Sequence, residues 1–191
     1  MKRNVIIKKE VKFKEENKMS DTLITVIAIA LAAVLMFVFP LMTMSDRTDD
    51  VSQLAVETTT TDFVDEVRTT GKITPDKYNK FIENIGSTGN TYNVEMQVQV
   101  LDENPGKKTL TLQSDKIGEN AYYSVYTSQI EEVLNNNKNY NLKEGDMFSV
   151  SVKNTNQTLA QQLKNFFYTV VGNDTYTIAA SHGGMVTATG K

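Results

Sequence analysis

A chain of 191 residues, 40% hydrophobic and 23% charged, has room for one ordinary domain and an anchor, not for two sizeable cores. Its formal charge of −3 lacks the basic excess of a nucleic-acid binder and speaks only to solubility. There is no cysteine, which excludes thiol nucleophiles, disulfides and cysteine-ligated metals.

The first predicted element is the run Thr22 to Met42, TLITVIAIALAAVLMFVFPLM, which carries no charge and only the hydroxyls of Thr22 and Thr25. As a helix it covers about 30 Å, the thickness of a hydrocarbon core. A soluble helix would need a polar stripe, and none is present. Lys2, Arg3, Lys8, Lys9, Lys12, Lys14 and Lys18 precede the run, whereas Asp46, Asp49 and Asp50 follow it against Arg47 alone. That asymmetry predicts a cytoplasmic N-terminus and an exported C-terminal part. A cleaved signal peptide is the competing reading. The run exceeds the usual apolar core of roughly 7–15 residues, and the nearest small-x-small site, Thr43-Met44-Ser45, is poor. Pro40, near the end of the span, predicts a kink or local melting. Ala28, Ala30, Ala32 and Ala33 are small enough to let a second helix approach closely.

From Ser45 to Thr70 there is neither proline nor glycine, and overlapping stripes at helical spacing (Val51, Leu54, Ala55, Thr58; Val56, Thr60, Phe63, Val67) predict a continuing helical stalk ended by Gly71. The four threonines Thr58 to Thr61 weaken it, and a break there is an open alternative. Thr74-Pro75-Asp76 reads as the start of a short helix with Tyr78, Phe81, Ile82 and Ile85 on one side and Gly86 as its stop. Tyr92, Val94, Met96, Val98 and Val100 alternate with polar residues, a strand signal. Asn104-Pro105-Gly106 predicts a turn and Thr109 to Gln113 a returning strand. A helix over 127–136, capped by Thr127 or Ser128, gives way to a loop at Asn135 to Asn141. Asp146 to Val152 alternates again, and Asn156 to Val171 has helical spacing. Thr175 to Ala180 and Met185 to Thr189 read as two short strands around a Gly183-Gly184 hairpin. The fold class expected is α+β, with a long N-terminal transmembrane helix, a stalk, and a small domain of antiparallel sheet and short helices. The divisions are 1–21 (basic, cytoplasmic), 22–42 (span), 43–71 (stalk) and 72–191 (outer domain).

The residues offer little chemistry. His182 is the only histidine, and no second base, orienting carboxylate motif or nucleophile elbow accompanies it or Ser181. Asp62, Asp65 and Glu66 read as a solvated helix face, and Asp46, Asp49 and Asp50 as an acidic cluster at the membrane surface, with weak calcium binding there as the alternative. Gly183-Gly184 fits no phosphate loop; beside the hairpin, its other reading is close backbone approach to a neighbouring subunit. Tyr122, Tyr123 and Tyr126 lack the basic partners of a nucleic-acid platform and suit core or subunit contacts. No active site, metal or cofactor is expected, and the chain is not expected to be an enzyme.

The order of parts, a basic start, an early apolar helix with Pro40, a helical continuation and a small α+β domain, resembles a pilin or pseudopilin. The stretch FVDEVRTTGKITPDKYNKFIENIGSTGNTYNVEM, Phe63 to Met96, is similar to the segment after the membrane helix in TadE-like and minor pilin-like proteins of Gram-positive tight-adherence or conjugation-type loci. The pilin processing marks are absent: Lys18-Met19-Ser20 precedes the run, Asp21 stands at its edge, and Ile24 and Ile27 lie inside. The resemblance implies a structural subunit of a pilus or secretion assembly. It would pack through Ala28, Ala30, Ala32, Ala33 and Pro40 against other pilin-like subunits, secretion-machine proteins or copies of itself, in the cell membrane or a surface filament, without nucleic acid. The alternative is a membrane-tethered extracellular binding or sensor domain that acts as a monomer.

Overall fold

The computed structural model describes residues 2–101, 122–168 and 177–191. The chain is α+β: a long helix that is apolar near its N-terminal end, and a small domain built on an antiparallel sheet. Two compact units divide it, Met1–Asp46 and Arg47–Lys191. Helix α1, Lys2–Thr70, belongs to both.

In the first unit α1 is long and apolar enough to cross a membrane, and none of its apolar window is buried by protein. Two hydroxyls there are satisfied within the helix, Thr25 Oγ1 donating to the Asp21 carbonyl at 2.8 Å and Thr43 Oγ1 to Phe39 at 3.1 Å. Such back-bonding is what lets hydroxyls sit in an apolar helix. The helix runs through Pro40 without interruption, so the expected local melting does not occur.

In the second unit the same helix changes character. Asp49, Ser52, Val56, Thr60, Phe63 and Val67, spaced by three or four, form its buried face, with Val64 beside them. The threonine run does not break it. Four β-branched residues cost roughly 2 kcal/mol in helix propensity, whereas each large apolar side chain buried on this face contributes about 1.5–3 kcal/mol. Packing wins, even though the Thr60 hydroxyl is buried without a partner among the described residues. Gly71, at φ +67°, then turns the chain.

Strand β1 (Lys72–Ile73) follows, then α2 (Pro75–Gly86). Thr74 Oγ1 caps α2 by accepting from the Lys77 N–H, as its sequence predicts. Gly86 is the last helical residue rather than the stop; Ser87 is the C-cap, and the positive φ falls on Gly89. Next come β2 (Tyr92–Leu101), β3 (Tyr122–Tyr126), α3 (Thr127–Asn135), β4 (Tyr140–Asn141), β5 (Met147–Asn154), α4 (Leu159–Tyr168) and β6 (Ala179–Met185). The predicted turn at Asn104-Pro105-Gly106, the strand over Thr109 to Gln113, and residues 169–176 of the closing segments lie outside the described residues.

The main sheet is antiparallel with order β3-β2-β5-β6, and β1 pairs with β4 in a separate two-stranded ribbon. Tyr140 and Asn141, expected in a loop, are therefore paired with Ile73 and Lys72. The inner face of the sheet presents Met96, Val98, Phe148, Val150, Val152 and Ala180 to α1 and α2. Phe63 stacks on Phe81 with centroids 4.4 Å apart and meets Phe148 edge-on at 6.1 Å, both favourable ring geometries. Tyr122, Tyr123 and Tyr126 lie on strand β3, with Tyr123 and Tyr126 exposed.

Three expectations at element ends need correction. Thr127 does not cap α3: its hydroxyl bonds the Met96 backbone, and Gln129 reaches back to the Tyr126 N–H instead. Helix α4 begins at Leu159 rather than Asn156, behind a reciprocal cap in which Thr158 Oγ1 accepts from the Gln161 N–H and Gln161 Oε1 from the Thr158 N–H. Gly183 and Gly184 are not a hairpin but lie within β6, toward its C-terminal end, paired with Ser149 and Phe148. Both glycines answer to close approach rather than to positive φ: a Cβ on Gly183 would lie 2.7 Å from Ser149 Cβ, and one on Gly184 2.6 Å from the Arg68 guanidinium carbon.

Candidate functional site: the outer face of the long helix and its seam with the edge strand

Along the second unit α1 lies beside the edge strand β6, and side chains of the helix fasten to the strand's backbone. The hydrogen-bond parity of β6 explains how. Asn154 N–H donates to Ile178 O, and Val186 N–H to Asp146 O, in the register that pairs Val152 with Ala180 and Val150 with His182. Even-numbered residues of β6 therefore bond to β5, and odd-numbered ones direct N–H and C=O outward. At Ala179 the Gln53 amide meets both groups, donating to the carbonyl at 2.7 Å and accepting from the N–H at 3.0 Å. One side chain thus does what a neighbouring strand would do. At the other end Arg68 Nε donates to Met185 O at 2.9 Å, and the Arg68 carbonyl accepts from Thr187 N–H at 2.9 Å.

Between these fastenings sits the one histidine. Asp65 Oδ1 receives Arg68 Nη1 at 2.8 Å and lies 3.2 Å from His182 Nε2. The hydrogen bond from His182, the largest influence, holds the Asp65 carboxyl below its ordinary 3.8; desolvation opposes it, and the hydrogen bond from Arg68 adds to the lowering. This carboxyl partner was not legible from the residue pattern, because Asp65 and His182 are 117 positions apart. Ser181 points to the opposite face of the strand from His182, since neighbouring residues alternate. Ser181 is therefore not placed beside the pair, and the arrangement clasps helix to sheet. A lowered carboxyl pKa contributes stability that is complete above the unfolded value and is lost as pH falls through the folded value. The His182→Ala variant is expected to raise the Asp65 pKa toward 3.8 in a carboxyl-carbon NMR titration. An unchanged Asp65 titration would contradict the clasp.

A second seam joins α1 to α4. Thr158 Oγ1 donates to Asp49 Oδ2 at 2.6 Å, and Asp49, Thr158 and Gln161 are all buried. The acidic cluster expected at residues 46, 49 and 50 is thereby split, Asp49 facing inward and Asp50 outward. Among the described residues no group of three or more His, Asp or Glu could hold a metal ion. The Thr158-x-x-Gln161 spacing was a readable capping-box signal for the start of α4.

The residues expected to pack helices lie in the first unit. Ala28, Ala30, Ala32, Ala33 and Pro40 are all exposed. At about 100° per residue, Ala28 and Ala32 share one face of α1, while Ala33 and Ala30 lie about 140° and 200° from Ala28. They form two small-residue faces rather than one.

In the second unit the side of α1 turned away from its buried face carries Val51 and Leu54, 68% and 64% exposed. Hydrophobic side chains one turn apart on a free helix face were visible as a stripe in the sequence, but only the fold shows that the domain leaves them uncovered.

No protein family, no curated protein and no solved structure matches this chain.

Proposed function

We propose that the protein is a minor pilin-like or pseudopilin-like structural subunit of a bacterial cell-envelope pilus or secretion assembly, held in the membrane by the apolar part of α1 and packing through that helix. In this reading it is a single-pass protein with a cytoplasmic N-terminus, supported by the seven Lys and Arg residues before the span and the aspartates after it. The resemblance of Phe63 to Met96 to TadE-like proteins supports the same class.

The observation that carries the reading is the two-sided use of α1 in the second unit. One face is the core of the domain; the opposite face offers Val51 and Leu54 to solvent. Isolated exposed apolar residues are ordinary on soluble proteins. Here they adjoin a segment whose large side chains Leu31, Met36, Phe37 and Phe39 are also exposed, which suits a helix made to lie against other helices. The chain is read as structural rather than catalytic, with no cofactor.

Deletion of Thr22 to Met42 is expected to remove the chain from the membrane fraction and to abolish the assembly. Normal pilus or secretion-complex formation by the deleted chain would sink the proposal. The competing reading, a tethered domain that binds as a monomer, predicts loss of membrane retention alone.

A further inference from the structure

The seam between α1 and β6 is fastened to the strand's backbone at both ends; between them His182 meets Asp65 through side chains alone. Of the four outward-facing residues of β6, Ala179 is met by Gln53 and Met185 by Arg68. Ser181 and Gly183, between them, are exposed, and among the described residues nothing pairs with their outward N–H and C=O groups. A free strand edge of this kind is a template for one more strand. Two residues of correct parity offer two donors and two acceptors to it.

The charge beside that opening has a sign. Gln53, Glu57, Thr61 and Asp65 fall on one row of α1 at spacing four, the row that flanks β6. Glu57 Oε1 accepts from the same Gln53 nitrogen that donates to Ala179. Asp65 meets His182, the residue between the two open ones. Among the described residues, Arg68 at this edge is engaged by Asp65 and Met185, and Lys153 stands one strand inward, opposite Ala179. A strand laid along Ser181 and Gly183 would therefore run past the exposed carboxylate of Glu57, which meets only a neutral amide, and past that of Asp65, which is shared with Arg68 and His182.

We propose that the open edge of β6 at Ser181 and Gly183 receives an extended, Lys- or Arg-bearing segment of a partner protein as an added strand alongside Glu57 and Asp65. Backbone hydrogen bonds supply the register, and the carboxylate row selects the basic side chains. The proposal is independent of whether copies pack through α1. Gln53 and Arg68 then limit the addition to a short segment, which prevents open-ended sheet growth.

Amide hydrogen exchange resolved by NMR on the full chain in lipid nanodiscs tests it. The probe is a synthetic peptide of about nine residues alternating Thr or Val with Lys, compared with the same peptide carrying Glu for Lys. In the chain alone, Ser181 and Gly183 amides are expected to exchange freely, while Ala180, His182 and Gly184 are protected. The Lys peptide is expected to slow Ser181 and Gly183 roughly tenfold or more, and the Glu peptide to leave them unchanged. Ser181→Pro removes an outward donor without touching the β5 ladder, since proline is tolerated where the N–H faces away from the sheet, and should abolish the effect. Glu57→Lys should transfer the preference to the Glu peptide. Protection of Ser181 and Gly183 in the chain alone, whether by self-association or by its own segments, would overturn the proposal. So would no response to millimolar Lys peptide, or equal response to both peptides.

Discussion

The Gly71→Ala variant is expected to lose about 4 kcal/mol of stability in the second unit, the sum of a left-handed backbone penalty and backbone overpacking. Gly71 stands at φ +67° directly after α1, and a Cβ there would lie 2.1 Å from the Ala188 carbonyl oxygen and 2.4 Å from the Gly190 nitrogen. These are backbone atoms, so no rotamer change relieves the contact. They are also fixed: Leu142 N–H donates to the Gly71 carbonyl at 2.7 Å, and Gly190 N–H to the Leu142 carbonyl at 2.9 Å. Moving the C-terminal segment away would break the bond that holds it to Leu142, just after β4. Gly89 provides the control. It has φ +81° but open space around its Cβ position, so Gly89→Ala should show only the conformational part, about 1 kcal/mol. For a unit of this size the difference corresponds to a melting temperature lower by about 10 °C in Gly71→Ala than in Gly89→Ala. Thermal unfolding followed by circular dichroism measures both. Equal losses would contradict the crowding assigned to Gly71.

The second large effect is expected at Phe148. It is fully buried on β5 and meets the Phe63 ring, which in turn stacks on Phe81. Phe148→Ala removes the side chain that ties the sheet to α1, whose Phe63 in turn stacks on α2, and leaves a cavity beneath α1. The expected cost is about 4 kcal/mol. It should be read as a lower denaturant midpoint at unchanged slope, because the variant keeps the fold while weakening it. Leu159→Ala, at a position 69% exposed on α4, should stay within about 0.5 kcal/mol of the parent. A Phe148→Ala loss no larger than that of Leu159→Ala would mean that the three-ring contact is not the centre of the core.

Local patterns that depend on one segment were legible before the fold was known. The alternation from Tyr92 to Val100 became β2 because a half-buried strand must repeat every two residues. Thr74-Pro75-Asp76 became the start of α2 because the cap and the fixed proline φ act within four residues. The apolar run of α1 declared itself through length alone. What stayed hidden depends on residues far apart in the chain. Gly183-Gly184 looked like a turn, since glycine pairs usually are; only the fold shows a strand interior in which Gly183 is crowded by Ser149 and Gly184 leaves room for the Arg68 guanidinium. Gln53 carries no sequence mark of its role, yet its amide completes β6 at a residue 126 positions away. His182 lies against Asp65, a carboxylate 117 positions away that no local motif announces. The split of the acidic cluster, with Asp49 inward on Thr158, follows from the angular phase of α1 against the domain, which local composition does not encode.

Packing through α1 is tested most directly by crosslinking at its outer face. The chain has no cysteine, so a single Leu54→Cys substitution reports on that position alone. Treated with a short thiol-reactive crosslinker in native membranes, the membrane-retained variant is expected to give dimers and a ladder of higher species. A clean monomer, with the thiol reactive and the chain still in the membrane, would contradict assembly through the helix and leave a tethered, monomeric domain.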